Sequence, residues 1–265
     1  MQLAGLVLSA MQAAVAREGY LYIGENCYSR PSVVFKRKEV IQCNCERSGL
    51  GHCGVACSNH LVRQECNPVH HPAGFGGEGS GMCRNMHFCK PRPKTHVRTL
   101  SGKGRGLFAS EPIVQGRLVQ EYVGEVITLS EMQKRVAGTP GGCRYFMYLT
   151  CYDKREELDD PTLILDGAYM GNESRFANHR CFDGSCEVQQ WLDQDGRHRI
   201  GIFTRRDVQQ GEEITYDYTH GGHSALGFQC RCGSMGCVDR VHCGVWTPFG
   251  FKNIRIKPPK AQDRA

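Results

Sequence analysis

Short apolar runs separated by turn residues dominate the middle of this chain. Their alternation predicts strands at residues 106–109, 117–127, 144–150, 162–166, 186–192, 198–204 and 213–218. Asp195-Gly196 separates two of these runs and is a strong signal for a β-hairpin turn. One short helix is predicted at residues 130–136. Because there is no long helix and no strand–helix–strand rhythm, the pattern predicts a mainly β fold of small sheets.

The two flanks of this region have no regular apolar pattern. Residues 43–89 contain seven cysteines and many glycines, and residues 221–244 are again rich in both residue types. Segments of this kind do not build an apolar core and need cross-links to fold. Pro91 and Pro93 mark the boundary after the first flank.

The chain begins with an apolar stretch, and residues 1–19 predict a helix that ends near Gly19. The small residues at 14–16 resemble a signal-peptide cleavage site. Because no Lys or Arg precedes the apolar stretch, a helix is favoured over a signal peptide. The basic run at residues 36–38 is either a solvated face or a binding segment.

Composition narrows the class of protein. With 40% hydrophobic and 23% charged residues among 265, the chain can bury a core and is not a disordered segment. No apolar run reaches about 18 residues, so no membrane-spanning helix is predicted. The formal net charge of +6 is a mild bias toward acidic or nucleic-acid partners. Sixteen cysteines are more informative, because they pose a choice between metal sites and disulfides.

The cysteines of the first flank are close enough in sequence to share metal ions. Thiolates one to four residues apart can converge on a tetrahedral zinc ion at about 2.3 Å. Seven ligands for two ions leave one short of eight, and a single bridging thiolate would close that gap. The odd count argues against complete disulfide pairing, although a disulfide knuckle or unpaired structural cysteines remain the alternative. The set comprises Cys43, Cys45, Cys53, Cys57, Cys66, Cys83 and Cys89.

The second cluster, Cys230-x-Cys232-x₄-Cys237, supplies only three thiolates. A tetrahedral zinc site therefore needs a fourth ligand from elsewhere. The nearest candidates are Cys181 and Cys186, with His242 and Cys243 as later ones. A zinc ion shared in this way would clamp the tail over the preceding domain.

Four further motifs complete the pattern. The loop Gly102-Lys103-Gly104-Arg105-Gly106 precedes a strand; it is neither a Walker loop nor a Rossmann fingerprint, and alone it is best interpreted as a turn. Arg-Phe-Ala-Asn-His-Arg-Cys at residues 175–181 is followed by Glu-Ile-Thr-Tyr-Asp-Tyr at residues 213–218. Glu-Tyr-Val-Gly-Glu-Val occupies residues 121–126.

Together, these motifs resemble those of the SET-domain protein lysine methyltransferases, in order and spacing, from about residue 43 to 243. The seven-cysteine segment resembles the associated-with-SET (AWS) zinc module, and the Cys230 triplet resembles the post-SET motif. The order AWS, SET, post-SET is similar to that of enzymes that methylate lysine-36 of histone H3. The relatives that act on lysine-9 have a nine-cysteine pattern instead.

The resemblance implies a SET-domain fold of small β-sheets with a pseudoknot, flanked by irregular zinc-bound segments. It divides the chain into an N-terminal helix and basic segment (1–40), an AWS module (41–92), a SET domain (93–220), a post-SET motif (221–244) and a tail (245–265).

The resemblance also implies residue roles. Tyr218 and Tyr122 would line the channel for the target lysine. S-adenosylmethionine would contact Lys103, Gly104, Arg105, Arg144, Tyr145, Phe146, Asn178 and His179. About three zinc ions are implied: one on Cys43, Cys45, Cys53 and Cys57, one on Cys53, Cys66, Cys83 and Cys89, and one on Cys181, Cys230, Cys232 and Cys237.

One segment departs from the family pattern. The family usually has Asn-His-Ser-Cys-x-Pro-Asn, whereas residues 178–186 have Asn-His-Arg-Cys-Phe-Asp-Gly-Ser-Cys, which is one residue longer and lacks Pro-Asn. The change leaves open whether Cys181 or Cys186 is the zinc ligand.

The expectation is a nuclear histone-lysine methyltransferase that acts on the histone H3 tail in nucleosomes, with nucleosomal DNA as a further partner of the basic segments. The alternatives are the same chemistry on another histone lysine or a non-histone protein, and a catalytically weak, zinc-stabilised chromatin-binding module.

Overall fold

The structure is a computed structural model that describes residues 19–28, 43, 53, 56–66, 85–138, 145–150, 162–218, 228–230, 232–235, 237, 240–241, 244–247 and 250–253. Its described helices are α1 (Ser58–Leu61), α2 (Leu129–Gly138) and a 3₁₀ helix (Glu173–Phe176). The strands are β1 (Leu21–Tyr22), β2 (Thr95–Leu100), β3 (Gly104–Ala109), β4 (Leu118–Glu121), β5 (Glu125–Thr128), β6 (Phe146–Thr150), β7 (Thr162–Asp166), β8 (Met170–Gly171), β9 (Asn178–His179), β10 (Cys186–Leu192), β11 (His198–Thr204), β12 (Thr215–Tyr216), β13 (Phe228–Gln229), β14 (Arg240–Val241), β15 (Gly244–Thr247) and β16 (Gly250–Asn253).

These strands form several small sheets, which confirms the predicted mainly β fold. Two sheets have three strands, in the orders β10-β11-β4 and β5-β7-β6. The remaining pairs are β2-β3, β13-β14 and β15-β16, which are antiparallel, and β1-β8 and β9-β12, which are parallel. In the β9-β12 pair, Asn178 lies opposite Thr215 and His179 opposite Tyr216, so two short segments far apart in sequence lie side by side.

The main core lies between these sheets. It includes Leu107, Val119, Leu165, Ile200 and Ile214, all of which are fully buried. A second cluster packs α2 against β5, β6 and β7, with Ile127 and Ile164 at its centre. Because strands β3–β7 and β10–β12 contribute apolar residues to a shared interior, their small sheets act as one scaffold for the segments between them.

Several predicted elements are confirmed in detail. The hairpin β10-β11 forms with Cys186 opposite Thr204 and Leu192 opposite His198, and Asp195-Gly196 lies in its turn. Gly196 has a φ of 72°, the left-handed conformation that the turn requires. The predicted helix is α2, and the predicted strand at 162–166 is β7.

The single strand predicted at residues 117–127 is wrong, because the segment forms two strands. β4 pairs with β11, whereas β5 pairs with β7 in another sheet, so the chain changes sheets at residues 122–124. A Cβ at Gly124 would lie 2.7 Å from the Asp166 carbonyl oxygen, so only glycine permits this close crossing. The strand predicted at 213–218 is likewise reduced to β12, and β2 was missed.

The N-terminal segment at residues 19–28 packs onto the part of the chain that is predicted to form one domain, residues 93–220. β1 pairs in parallel with β8, the Cys27 amide donates to the Gly124 carbonyl, and Tyr20 is buried in the main core. The helix predicted at residues 1–19 and the basic run at 36–38 lie outside the described residues, apart from Gly19. In the described part of the chain, no helix is long and apolar enough to cross a membrane.

Candidate functional site

Four cysteines of the first flank meet in one buried group. The sulfur atoms of Cys43, Cys53, Cys57 and Cys66 all lie within 4.8 Å of one another. Individual Sγ–Sγ distances are 3.4 Å for Cys43–Cys53, and 3.7 Å for both Cys57–Cys66 and Cys53–Cys66. Four thiolates at tetrahedral positions with bonds of about 2.3 Å lie about 3.8 Å apart, so these distances fit a zinc ion.

This grouping differs from the predicted division, which assigned Cys66 to a second ion with Cys83 and Cys89. Helix α1 turns the chain back after Cys57, and the Cys66 amide donates to the Asn85 carbonyl, which brings this thiol to the first set. Its Sγ also accepts from the Asn85 side chain at 3.2 Å. Cys89 is exposed and belongs to neither thiol group of the described residues, whereas Cys45 and Cys83 lie outside those residues.

The second thiol group includes Cys181 rather than Cys186. The sulfurs of Cys181, Cys230, Cys232 and Cys237 lie within 4.8 Å of one another. Cys186 instead begins β10 inside the main core, and burial raises the pKa of its thiol to about 12. Cys186 therefore lies in the main core and outside the second thiol group.

Within the second thiol group, the surroundings of Cys232 favour its thiolate form. Burial alone would raise the pKa of Cys232, but contacts with the Ser234 side chain and a hydrogen bond from the Ser234 amide outweigh it and lower the pKa. A lower pKa favours the thiolate, which is the form that binds metal.

The loop that departs from the family pattern is held in place at both ends. Arg180 pairs with Asp183, and the Ser234 hydroxyl contacts both Asp183 Oδ1 and the Cys181 carbonyl oxygen. Phe182 has a φ of 59° and is 57% exposed. The longer loop therefore does not disturb the pairing of β9 with β12.

His179 links the second thiol group to the neighbouring aromatic residues. Its Nδ1 accepts the Tyr218 amide at 3.1 Å, so the ring proton belongs on Nε2, which lies 3.0 Å from Cys181 Sγ. Burial lowers the pKa of His179, although Asp217 opposes the shift. The neutral imidazole thus connects a candidate metal ligand to the backbone of Tyr218.

Two tyrosine hydroxyls are fixed by backbone carbonyls. Tyr218 Oη donates to the Ala177 carbonyl at 2.8 Å, and Tyr122 Oη donates to the Tyr145 carbonyl at 2.7 Å. Tyr216, which is not among the predicted site residues, has its ring centre 4.8 Å from that of Tyr218 in a tilted arrangement and interacts electrostatically with both other phenols. The alternation of Tyr216 and Tyr218 along the strand predicted at 213–218 was the available signal, since alternate strand residues share a face.

The glycine loop lies beside the segment that contains Asn178. The Asn178 side-chain amide donates to the Arg105 carbonyl at 3.2 Å and to Glu213 Oε1 at 2.8 Å. Lys103, Gly104 and Arg105 are exposed, and Gly104 has a φ of 79° with no atom within 4 Å of the position that a Cβ would occupy. The loop therefore presents its backbone to open space beside β9.

The remaining segment predicted to bind the cofactor is residues 144–146. Within it, the structure describes Tyr145 and Phe146. The Arg175 guanidinium lies 4.0 Å from the Tyr145 ring centre, which places this ring next to the 3₁₀ helix. The side chain of Phe146 is buried in the second core cluster, so it has only its backbone to offer a ligand. Arg144 lies outside the described residues.

The comparisons with known proteins agree with this geometry. Residues 104–219 match the family model described as SET domain. The chain is 34% identical over 219 residues to the histone-lysine N-methyltransferase ash1 of Drosophila melanogaster, across 82% of this chain and 9% of that protein. It is 31% identical over 202 residues to a human histone-lysine N-methyltransferase named H3 lysine-36 specific, across 75% of this chain and 7% of that protein. The chain thus spans less than a tenth of either relative.

A solved structure shares the fold. The methyltransferase domain of human histone-lysine N-methyltransferase SETMAR superposes with a TM-score of 0.61 at 21% identity. The match covers 84% of this chain and 89% of that one. The similarity therefore extends beyond the span of the family model to the flanking segments.

Proposed function

We propose, because this chain belongs to the SET-domain proteins, that it is an S-adenosylmethionine-dependent protein lysine methyltransferase that acts on lysine-36 of histone H3. The observation that carries the proposal is that two carbonyl-anchored phenols, Tyr122 and Tyr218, both interact with Tyr216, which pairs with His179. The names of the relatives support the substrate, and the match to the SET domain supports the chemistry.

The residues of the chain fit S-adenosylmethionine, which supplies a methyl group from its sulfonium centre. Asn178 joins the loop at 103–105 to β9, and Arg175 packs on the ring of Tyr145 in the second predicted segment. The open space beside Gly104 gives a ligand access to backbone groups. We propose that these three segments hold the cofactor, with Arg144 as a further contact.

The two tyrosines would orient the target amine. A phenol that donates its hydrogen to a carbonyl presents its oxygen as an acceptor, so Tyr218 can receive an amine N–H and direct the nitrogen lone pair toward the methyl carbon. Free lysine has a pKa of about 10.4, so its proton must leave before attack. Alignment of the reacting groups contributes about 7–11 kcal/mol in well-oriented systems.

The thiol groups would bind zinc and hold the flanks onto the domain. The sulfur–sulfur distances within each thiol group support one zinc ion per group, and therefore two ions in total. A third zinc ion would use Cys45, Cys83 and Cys89 with one shared thiolate. We propose that the segments at 41–92 and 221–244 are the AWS and post-SET modules, within a SET domain at 93–220. A nuclear, chromatin-bound location and contact with nucleosomal DNA are part of the same proposal.

The test is methyl transfer from labelled S-adenosylmethionine to nucleosomes. We expect transfer to wild-type nucleosomes and none to nucleosomes in which histone H3 lysine-36 is replaced by arginine. Tyr218→Phe should lower kcat by about 100-fold, the usual cost of removing one well-placed polar contact to the reacting groups. Cofactor affinity, measured by calorimetry, should be unchanged in this variant.

Tyr22→Phe is the matched control, because this tyrosine is 61% exposed and removal of its hydroxyl should not affect turnover. Transfer that persists on the lysine-36 variant nucleosomes would show a different target lysine. Intact cofactor binding without methyl transfer to nucleosomes, histones or peptides would contradict the proposed methyltransferase activity and favour a chromatin-binding module.

A further inference from the structure

A continuous stack of arginines and aromatic rings lies beneath the proposed cofactor segments. The Arg105 guanidinium lies 4.1 Å from the centre of the Phe176 ring, and Tyr20 meets Phe176 edge-on at 5.7 Å. Arg175 lies 4.5 Å from the Tyr20 ring centre and 4.0 Å from that of Tyr145. The stack therefore begins at one proposed cofactor-binding residue, Arg105, and ends at another, Tyr145.

Tyr20 reaches this stack from outside the SET-domain match, which begins at residue 104. It is 8% exposed, and β1, the strand that follows it, is anchored to β8 by hydrogen bonds from Leu21 to Tyr169 and from Ile23 to Gly171. Gly19 has a φ of 77°, and a Cβ on it would lie 3.8 Å from Arg105 Nη2. The turn at Gly19 thus brings the chain close to Arg105, one end of the stack.

Arg175 depends on these rings for its stability. The residue is 7% exposed, and Nη2 donates to the Ala168 carbonyl at 3.0 Å. Among the described residues, its Nε and Nη1 are buried without a hydrogen-bond partner. A buried cation in this situation is costly unless aromatic faces compensate for its lost hydration. Tyr20 and Tyr145 provide two such faces.

We propose that Tyr20 and Arg175 are positioning residues that hold Arg105 and Tyr145 at the spacing needed to bind S-adenosylmethionine, an inference that rests on the proposed function. Without the Tyr20 ring, the Arg175 guanidinium loses one of its two nearest faces and shifts toward hydrogen-bond acceptors. Tyr145 and Phe176 then lose their common neighbour. We expect cofactor affinity to fall and affinity for the protein substrate to stay unchanged.

The experiment compares Tyr20→Leu with Tyr20→Phe and wild type in the full chain. We expect Tyr20→Leu to raise the Kd and KM for S-adenosylmethionine about five- to tenfold, the effect of losing a desolvated cation–π contact. The KM for nucleosomes should not change. Tyr20→Phe keeps the ring and should restore wild-type cofactor affinity. If Tyr20→Leu is too unstable to purify, Tyr20→Met retains similar volume without a ring and should show the same effect.

Phe203→Leu is the control for general loss of packing, because Phe203 is equally buried in a different cluster with Leu118 and Trp191. It should lower thermal stability without raising the KM for the cofactor. Unchanged cofactor affinity in Tyr20→Leu, or equal losses in Tyr20→Phe or Phe203→Leu, would overturn this inference alone. Absence of cofactor binding by the wild-type protein would overturn the proposed function and this inference with it.

Discussion

In the sheet β10-β11-β4, the buried carboxylates of Glu121 and Asp193 are both paired with Arg199. Arg199 pairs with Glu121 and, at 3.3 Å, with Asp193, and its guanidinium lies 4.9 Å from the Phe88 ring centre. Burial raises the pKa of Glu121, and the hydrogen bond from Arg199 acts in the opposite direction. One arginine on β11 thus compensates two buried carboxylates and contacts the neighbouring segment at 85–92.

Arg199→Met should lower the free energy of unfolding by about 3 kcal/mol, because it leaves the Glu121 carboxylate buried without its partner. The folded pKa of Glu121 is above its unfolded value, so stability decreases as pH rises through the folded pKa. Without the opposing Arg199 hydrogen bond the Glu121 pKa rises further, so the loss should grow as pH rises through this folded pKa, measured by urea denaturation across a pH series. Arg197→Met, at an exposed site with a 3.9 Å ion pair, is the control; an equal loss there would contradict the prediction.

The identity of the fourth ligand in the second thiol group can be tested at one residue. Cys181→Ser should remove one zinc ion per chain, because Cys181 Sγ lies 3.9 Å from Cys230 Sγ. Cys186→Ser should keep every ion and lower only thermal stability, since it places a hydroxyl in the main core. Zinc content is measured by elemental analysis. Loss of zinc from the Cys186 variant alone would reverse the assignment.

At the level of elements, the segment around α1 is attached to the sheet by few contacts besides its thiols. The Glu65 amide donates to the Leu192 carbonyl, Glu65 Oε1 accepts from the Phe88 amide at 2.7 Å, and burial raises the pKa of Glu65 to about 7. His87 packs against Trp191 with ring centres 4.7 Å apart. The thiol group therefore determines whether this segment keeps its shape.

Cys66→Ser should release the ion of the first group and expose the segment at 56–66. Cys66 contacts three sulfurs and two asparagine side chains, so no other described side chain replaces it. Hydrogen exchange should increase in this segment and remain unchanged in β10 and β11. Cys27→Ser, which alters a half-buried cysteine outside both thiol groups, is the control. Unchanged exchange in the Cys66 variant would refute the structural role of this group.

At the scale of the whole molecule, the irregular flanks and the β-rich body differ in what stabilises them. The body has a continuous apolar core, whereas the first flank packs mainly cysteine sulfurs with Met86. Zinc bound at the thiol groups would therefore contribute to the folding energy of the flanks.

Removal of metal should accordingly unfold the molecule in two stages. Purified protein should contain about three zinc ions, and a strong chelator should open the segment at 43–89 and the tail at 228–237 before the body. Methyl transfer should cease with the first stage, because Cys181 and His179 share a contact at 3.0 Å. Thermal denaturation and limited proteolysis with and without chelator provide the measurement. A single unaltered transition, with zinc near zero and quantitative disulfides, would contradict the metal sites.

The sequence by itself determined the β-rich class, the hairpin β10-β11, the short helix α2 and the residues that resemble a lysine methyltransferase. These follow from local rules, since alternation, turn residues and motif spacing are properties of neighbouring positions. Only the tertiary structure decided that Cys66 joins Cys43 and that Cys181, not Cys186, meets the Cys230 triplet. It also placed Tyr20 between the cofactor segments. These outcomes depend on which distant segments pack together, and a single sequence does not specify such contacts through local pattern.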